Sequence, residues 1–101
     1  MKLSSFLVLT LLGSLAFSLN SQAAEVSQGA MLSNSCAACH GTDGKSPGAI
    51  PSIHGKSASF ISQSLKAFRS GERESTVMGR HASGYSDEEI QLIADYFAGL
   101  K

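Results

Sequence analysis

The chain has no tryptophan, two cysteines, two prolines and no surplus of charge, its eight Lys/Arg being balanced by eight Asp/Glu. Each shortage excludes something. A balanced charge leaves no basic footprint for a nucleic acid partner and no general field for anionic membranes. Two cysteines allow one disulfide at most. No stretch alternates apolar and polar residues as a half-buried strand does. A small chain without tryptophan also has little bulk for a core, and burial alone rarely stabilises a domain of this size by more than about 3–5 kcal/mol. Some further staple is therefore expected.

The one long apolar run is at the start. Met1-Lys2 gives a positive beginning, residues 3–19 are apolar and interrupted by serine, and Asn20-Ser21-Gln22 leads into Ala23-Ala24. The run falls short of the roughly 20 apolar residues that a comfortable spanning helix needs. Small residues at Ser21 and Ala23 fit a signal-peptide cleavage site. Residues 1–23 are thus expected to be a removed signal peptide, with an uncleaved anchor as the alternative. Residues 24–101 then form one domain in the periplasm, with no stable membrane association after cleavage.

What the domain does have is Cys36-Ala37-Ala38-Cys39-His40. C-x-x-C-H is the signature of covalent haem attachment. Two thiols one helical turn apart can add to the two vinyl groups of one haem, and the next residue then brings an imidazole to the iron. Three other readings compete. In an oxidising compartment the cysteines could pair as a disulfide. A thioredoxin-like C-x-x-C belongs in a βαβ setting, and nothing here reads as one. Zinc would need Cys36, Cys39 and His40 with His54 or His81, whereas zinc ligands usually come as two spaced pairs. The full signature behind an export signal favours haem c, one per chain and covalently bound. That haem would also be the staple.

In chain order, Glu25 to about Ala38 reads as a short first helix, with Val26, Ala30, Leu32 and Ala37 apolar and Gly29 suggesting a close neighbour. Residues 41–48 are dense in turn formers and should wrap the haem edge. In Ile50-Pro51-Ser52-Ile53 the Pro51 carbonyl is a candidate acceptor for the far nitrogen of His40, a bond that would fix the ring's tautomer. Ile50 and Ile53 are expected to pack on the haem. A second helix is capped by Ser57 or Ser59, presents Phe60, Ile61, Ser64, Leu65 and Phe68 on one face, and closes at Gly71. Residues 75–80 carry no helical period.

A sixth iron ligand should come from beyond that helix. Met1 leaves with the signal and Met31 lies on the His40 side, so Met78 is the candidate thioether, against His54 and His81 as competitors. The last helix is the most sharply marked. Ser86 and Glu89 form a capping box, Ile90, Ile93, Ala94 and Phe97 recur at helical spacing with Tyr96 beside them, and Gly99 ends it. Its apolar face should meet the first helix near Gly29. Lys66, Arg69, Arg73 and Arg80 cluster around the Met78 loop while Asp87, Glu88, Glu89 and Asp95 gather on the last helix. These are either solvated faces or a basic side that steers an acidic partner.

Taken together, the short first helix, C-x-x-C-H, the Pro51 loop, the aromatic middle helix, Met78 and the aromatic last helix resemble a class I c-type cytochrome. The resemblance implies an all-α fold of three to four helices wrapped around one covalently attached haem. It implies Cys36 and Cys39 as thioether anchors, His40 and Met78 as the two axial ligands, Pro51 as the orienting carbonyl, and Gly29 with Tyr96 and Phe97 as the contact between terminal helices. More narrowly, Gly71-Glu72, residues 75–80, Gly84-Tyr85-Ser86 and Ala94-Asp95-Tyr96-Phe97 resemble the cytochrome subunit of flavocytochrome c sulfide dehydrogenase. That subunit often has two haem domains; this chain has one signature. The implied partners are an FAD-containing sulfide dehydrogenase subunit and another periplasmic cytochrome c or terminal acceptor. The chain itself shows no base, nucleophile or substrate pocket. The alternatives are a freely diffusing carrier and a haem-based ligand sensor.

Overall fold

The computed structural model describes residues 26–101, so the proposed signal segment lies outside the described residues. Among the described residues there are five α-helices and no strand. They are α1 (Gln28–Ser33), α2 (Ala37–His40), α3 (Ala58–Ser70), α4 (Met78–Ala82) and α5 (Asp87–Ala98).

α5 forms where the sequence places it. Ser86 Oγ accepts from Glu89 N at 3.1 Å and Glu89 Oε2 accepts from Ser86 N at 2.9 Å, so both orphan donors are satisfied. Its buried face, Ile90, Ile93, Ala94 and Phe97, is the centre of the core, which Ile61, Leu65 and Ala82 complete. α3 starts at Ser57, whose hydroxyl accepts from Phe60 N at 3.1 Å, and stops at Gly71. Its buried stripe is Ile61, Ser62 and Leu65. Phe60 departs from expectation: it is 50 % exposed. Ile61 and Leu65, four apart, define the packed face, and Phe60 sits one position, about 100°, away from it.

α1 crosses α5 at Gly29. A Cβ there would come within 2.8 Å of the Leu92 carbonyl oxygen and 3.4 Å of Tyr96 Cβ, so the close neighbour suggested by the sequence is the backbone of α5. Gly29→Ala is expected to force the two helices apart and cost about 1–3 kcal/mol, read as a lower denaturation midpoint at unchanged m-value.

Two elements differ from the sequence reading. The first helix is not continuous: it begins after the Ser27 cap, tightens into a 3₁₀ turn at Asn34–Cys36 and resumes as α2. Ser33-Asn34-Ser35 explains the change, because short polar side chains compete for backbone groups and disfavour the regular helix. The stretch expected to be irregular, residues 75–80, runs into α4. Ser75 Oγ accepts from Gly79 N at 2.8 Å at its start, and Ala82 is fully buried at its end. Tertiary packing against α3 supplies what the weak period of Met-Gly-Arg-His-Ala does not.

Candidate haem site

α2 carries the attachment signature. Cys36 and Cys39 stand at its two ends with His40 in its last residue, and Gly41 then turns the chain. Only glycine serves at that point: φ is +85°, and a Cβ would lie 2.1 Å from the Lys45 carbonyl oxygen. The turn sends residues 42–56 back past the imidazole, where His40 Nδ1 donates to the Pro51 carbonyl at 2.6 Å. With its proton on Nδ1, the ring presents the Nε2 lone pair as a ligand atom. Backbone bonds from Ile53 N and His54 N to the Gly44 carbonyl, at 2.9 and 3.2 Å, hold the loop against this bond.

A narrow cleft is lined by Ser35, Cys36, Cys39, His40, Leu65, Val77, Met78, His81, Tyr85 and Ile93. It brings the attachment signature from one end of the chain and Met78 from the other to a single place. The lining is largely thioether, thiol, aliphatic and aromatic, with the His40 imidazole and the Met78 sulfur both in it, which fits a flat apolar group carrying a metal. Cys36 is half-buried and Cys39 is exposed. Burial pushes the Cys36 thiol up, and the hydrogen bond from Ser35 only partly offsets it. Among the described residues no three His, Cys, Asp or Glu side chains gather as a metal-holding group.

Other expected residues lie elsewhere. His54 turns to its own loop, its Nδ1 donating to the Asp43 carbonyl at 2.9 Å. Ile53 is half-buried against the core beside Gly44, and Ile50 is exposed; neither lines the cleft. Leu65 lies on the helix face expected to be core and haem pocket at once, and it belongs to the core and lines the cleft. Ile93 was legible only as core, and Tyr85 was given no place in the cleft. Tyr85 had no periodic signal; its hydroxyl reaches Ser35 Oγ at 3.2 Å and the Leu32 carbonyl at 3.5 Å, tying the loop after α4 to the turn before Cys36.

Two of the clustered cations, Lys66 and Arg69, meet Asp87 of the acidic group. Arg69 is bonded to the Asp87 carboxylate and to the Tyr85 carbonyl, the latter at 2.9 Å, and Lys66 Nζ lies 3.7 Å from the same carboxylate. Arg73 stacks on Phe68 with its guanidinium carbon 4.6 Å from the ring centroid. The Arg69 hydrogen bond, then the Lys66 and Arg69 charges, hold Asp87 below its ordinary 3.8. Stability from this group is therefore present above pH 3.8 and lost as pH falls through the lower folded-state value. The carboxylate is exposed, so the effect is small. Asp87→Asn is expected to lower the thermal midpoint slightly at neutral pH, with the gap to the native protein closing in acid.

Comparison with known proteins agrees with this geometry. The chain belongs to the cytochrome c family, whose model matches residues 26–101. Covalent haem c is accordingly its cofactor, and electron carriage its class of function. It is 61% identical over 74 residues to the cytochrome subunit of sulfide dehydrogenase from Chlorobaculum tepidum, covering 73% of this chain and 67% of that protein. It is 43% identical to cytochrome c-554(548) of Halomonas halodenitrificans, over 62% of this chain and 81% of that one. A third relative, 41% identical over 64% of this chain and 32% of its own length, is the thiosulfate dehydrogenase electron acceptor of Stutzerimonas stutzeri. Among the described residues no helix is long and apolar enough to cross a membrane.

Proposed function

We propose that this chain, processed after Ala23 and delivered to the periplasm, carries single electrons on a haem anchored by Cys36 and Cys39 and ligated by His40 and Met78. The observation that carries the reading is the pairing of a tautomer-fixed His40, bonded to Pro51, with the Met78 thioether in one apolar cleft. When bound, the haem supplies a one-electron couple whose potential a thioether ligand raises relative to a second imidazole. The protein's own part is to orient His40, to present Met78 and to keep water from both; Ile53 closes the core behind the Pro51 loop. The electron donor is an FAD-containing sulfide dehydrogenase subunit, a reading supported by the likeness to the Chlorobaculum tepidum protein. The acceptor is another periplasmic cytochrome c or a terminal electron acceptor.

Met78→Ala is expected to keep the haem attached, abolish the far-red ferric absorption of an iron–thioether bond, and lower the midpoint potential by a sizeable share of the ~0.8 V that axial ligands command. An unchanged potential and band would remove Met78 from the ligand set. The partner is tested by purification from the native periplasm. A dedicated subunit should stay with a flavoprotein through an interface of about 1,200–2,000 Å². A freely diffusing carrier, the alternative reading, should run alone.

A further inference from the structure

His81 lines the same cleft as Met78, His40 and both cysteines, and the electron transfer proposed above gives it no part. It stands three residues beyond Met78 on α4. Side chains so spaced are neighbours on one helix face, with Cβ atoms about 5–6 Å apart. His40 and His54 have ring nitrogens bonded to backbone carbonyls. The His81 ring has no such bond among the described residues.

We propose that His81 is a reserve axial ligand, its imidazole taking the iron position on the Met78 side when the thioether is lost. The inference rests on Met78 being the ligand in the native protein. α4 is five residues long, and residues 71–77 and 83–86 on either side of it belong to no helix, so they can absorb a shift of one side-chain spacing. Two contacts oppose that shift. Ala82 is fully buried, and Ser75 Oγ holds Gly79 N at 2.8 Å. They keep Met78 in register while its sulfur is intact, which makes His81 the second choice. The exchange breaks an iron–sulfur bond and forms an iron–nitrogen bond, moves no electron, and leaves the imidazole neutral with its proton on the remaining ring nitrogen. Because a thioether favours ferrous iron more than an imidazole does, the exchanged form accepts electrons less readily. Loss of the sulfur ligand then switches the carrier down without opening its iron to small molecules.

The test compares holoprotein carrying Met78→Ala, His81→Ala and both changes. The single Met78→Ala protein is expected to stay six-coordinate and low-spin, with the electron paramagnetic resonance signature of two imidazoles and slow carbon monoxide binding when reduced. The double variant is expected to lose the low-spin signal and bind carbon monoxide rapidly. His81→Ala alone should keep the native spectrum. A Met78→Ala protein that is already high-spin, or a double variant that remains low-spin, overturns the reserve role while leaving Met78 ligation standing. A Met78→Ala protein spectroscopically identical to the native one overturns Met78 ligation itself. Should the alanine variant fail to mature, Met78→Leu, close to methionine in volume, carries the same comparison.

Discussion

A chain with both Cys36 and Cys39 replaced by serine is expected to mature colourless and to lose its helical far-ultraviolet signal at temperatures where the native protein keeps it. The reason lies in how little core the polypeptide has. Among the described residues only Ile61, Leu65, Ala82, Ile90, Ile93, Ala94 and Phe97 are buried apolar side chains, and two of the seven are alanines. Leu65 and Ile93 belong to the core and line the cleft as well. A haem held in that cleft would therefore pack on the core and extend it. Without it, a domain whose burial alone contributes about 3–5 kcal/mol must still order its whole backbone. Haem staining and mass show whether the group is attached, and circular dichroism against temperature shows the rest. A colourless double variant that melts with the native protein would mean that the polypeptide core suffices.

Phe97→Ala is expected to be the most damaging single change that leaves the attachment signature intact. Phe97 is 2 % exposed and one of the largest fully buried side chains. Its ring meets Tyr96 edge-on at 5.2 Å, and its Cδ1 would lie 3.1 Å from a Cβ at Gly44, so it is the wedge between α5 and the loop that follows His40. The Phe97 carbonyl also accepts from Gly55 N at 3.1 Å. Emptying the site should cost about 3–5 kcal/mol, comparable to everything burial provides in a domain this small. The loop that Phe97 supports carries Pro51, so the damage should reach the site: the His40–Pro51 bond loosens and the ligand field of the iron broadens. Denaturation of the holoprotein measures the first effect, and the line width of its ferric resonance the second. Phe97→Leu should recover much of both. A Phe97→Ala protein within 1 kcal/mol or so of the native one would place the centre of the core elsewhere, since cavities of this kind are rarely tolerated.

The difference between α5 and α4 shows where sequence reading succeeds. α5 was legible because its signals are local and agree: a capping box within four residues and a single apolar face. α4 was not, because Met78–Ala82 has one large apolar residue and a glycine, and its stability comes from Ala82 buried among residues distant in the chain. Phe60 failed for a related reason. An aromatic beside a stripe looks like part of it until the direction of the partner helix is known, and α3 turns that position outward.

The charges teach the same lesson. Lys66 and Arg69 cluster with Arg73 in sequence, yet two of the three face Asp87 from α5, and the third stacks on Phe68. An ion pair across helices is a matter of tertiary register, and no run of charges in the sequence states it.

The sequence by itself determined the attachment signature, the helical class, both ends of α5 and the close of α3 at Gly71, because each depends on residues within a turn or two of one another. Only the tertiary structure decided which distant side chains share the cleft. Met78, His81 and Tyr85 meet Cys36 and His40 because α5, packed on α1 at Gly29 and on α3, folds the end of the chain back over its beginning. That closure is set by side-chain volumes and helix crossings across some fifty residues of chain, a range over which periodicity and spacing carry no information.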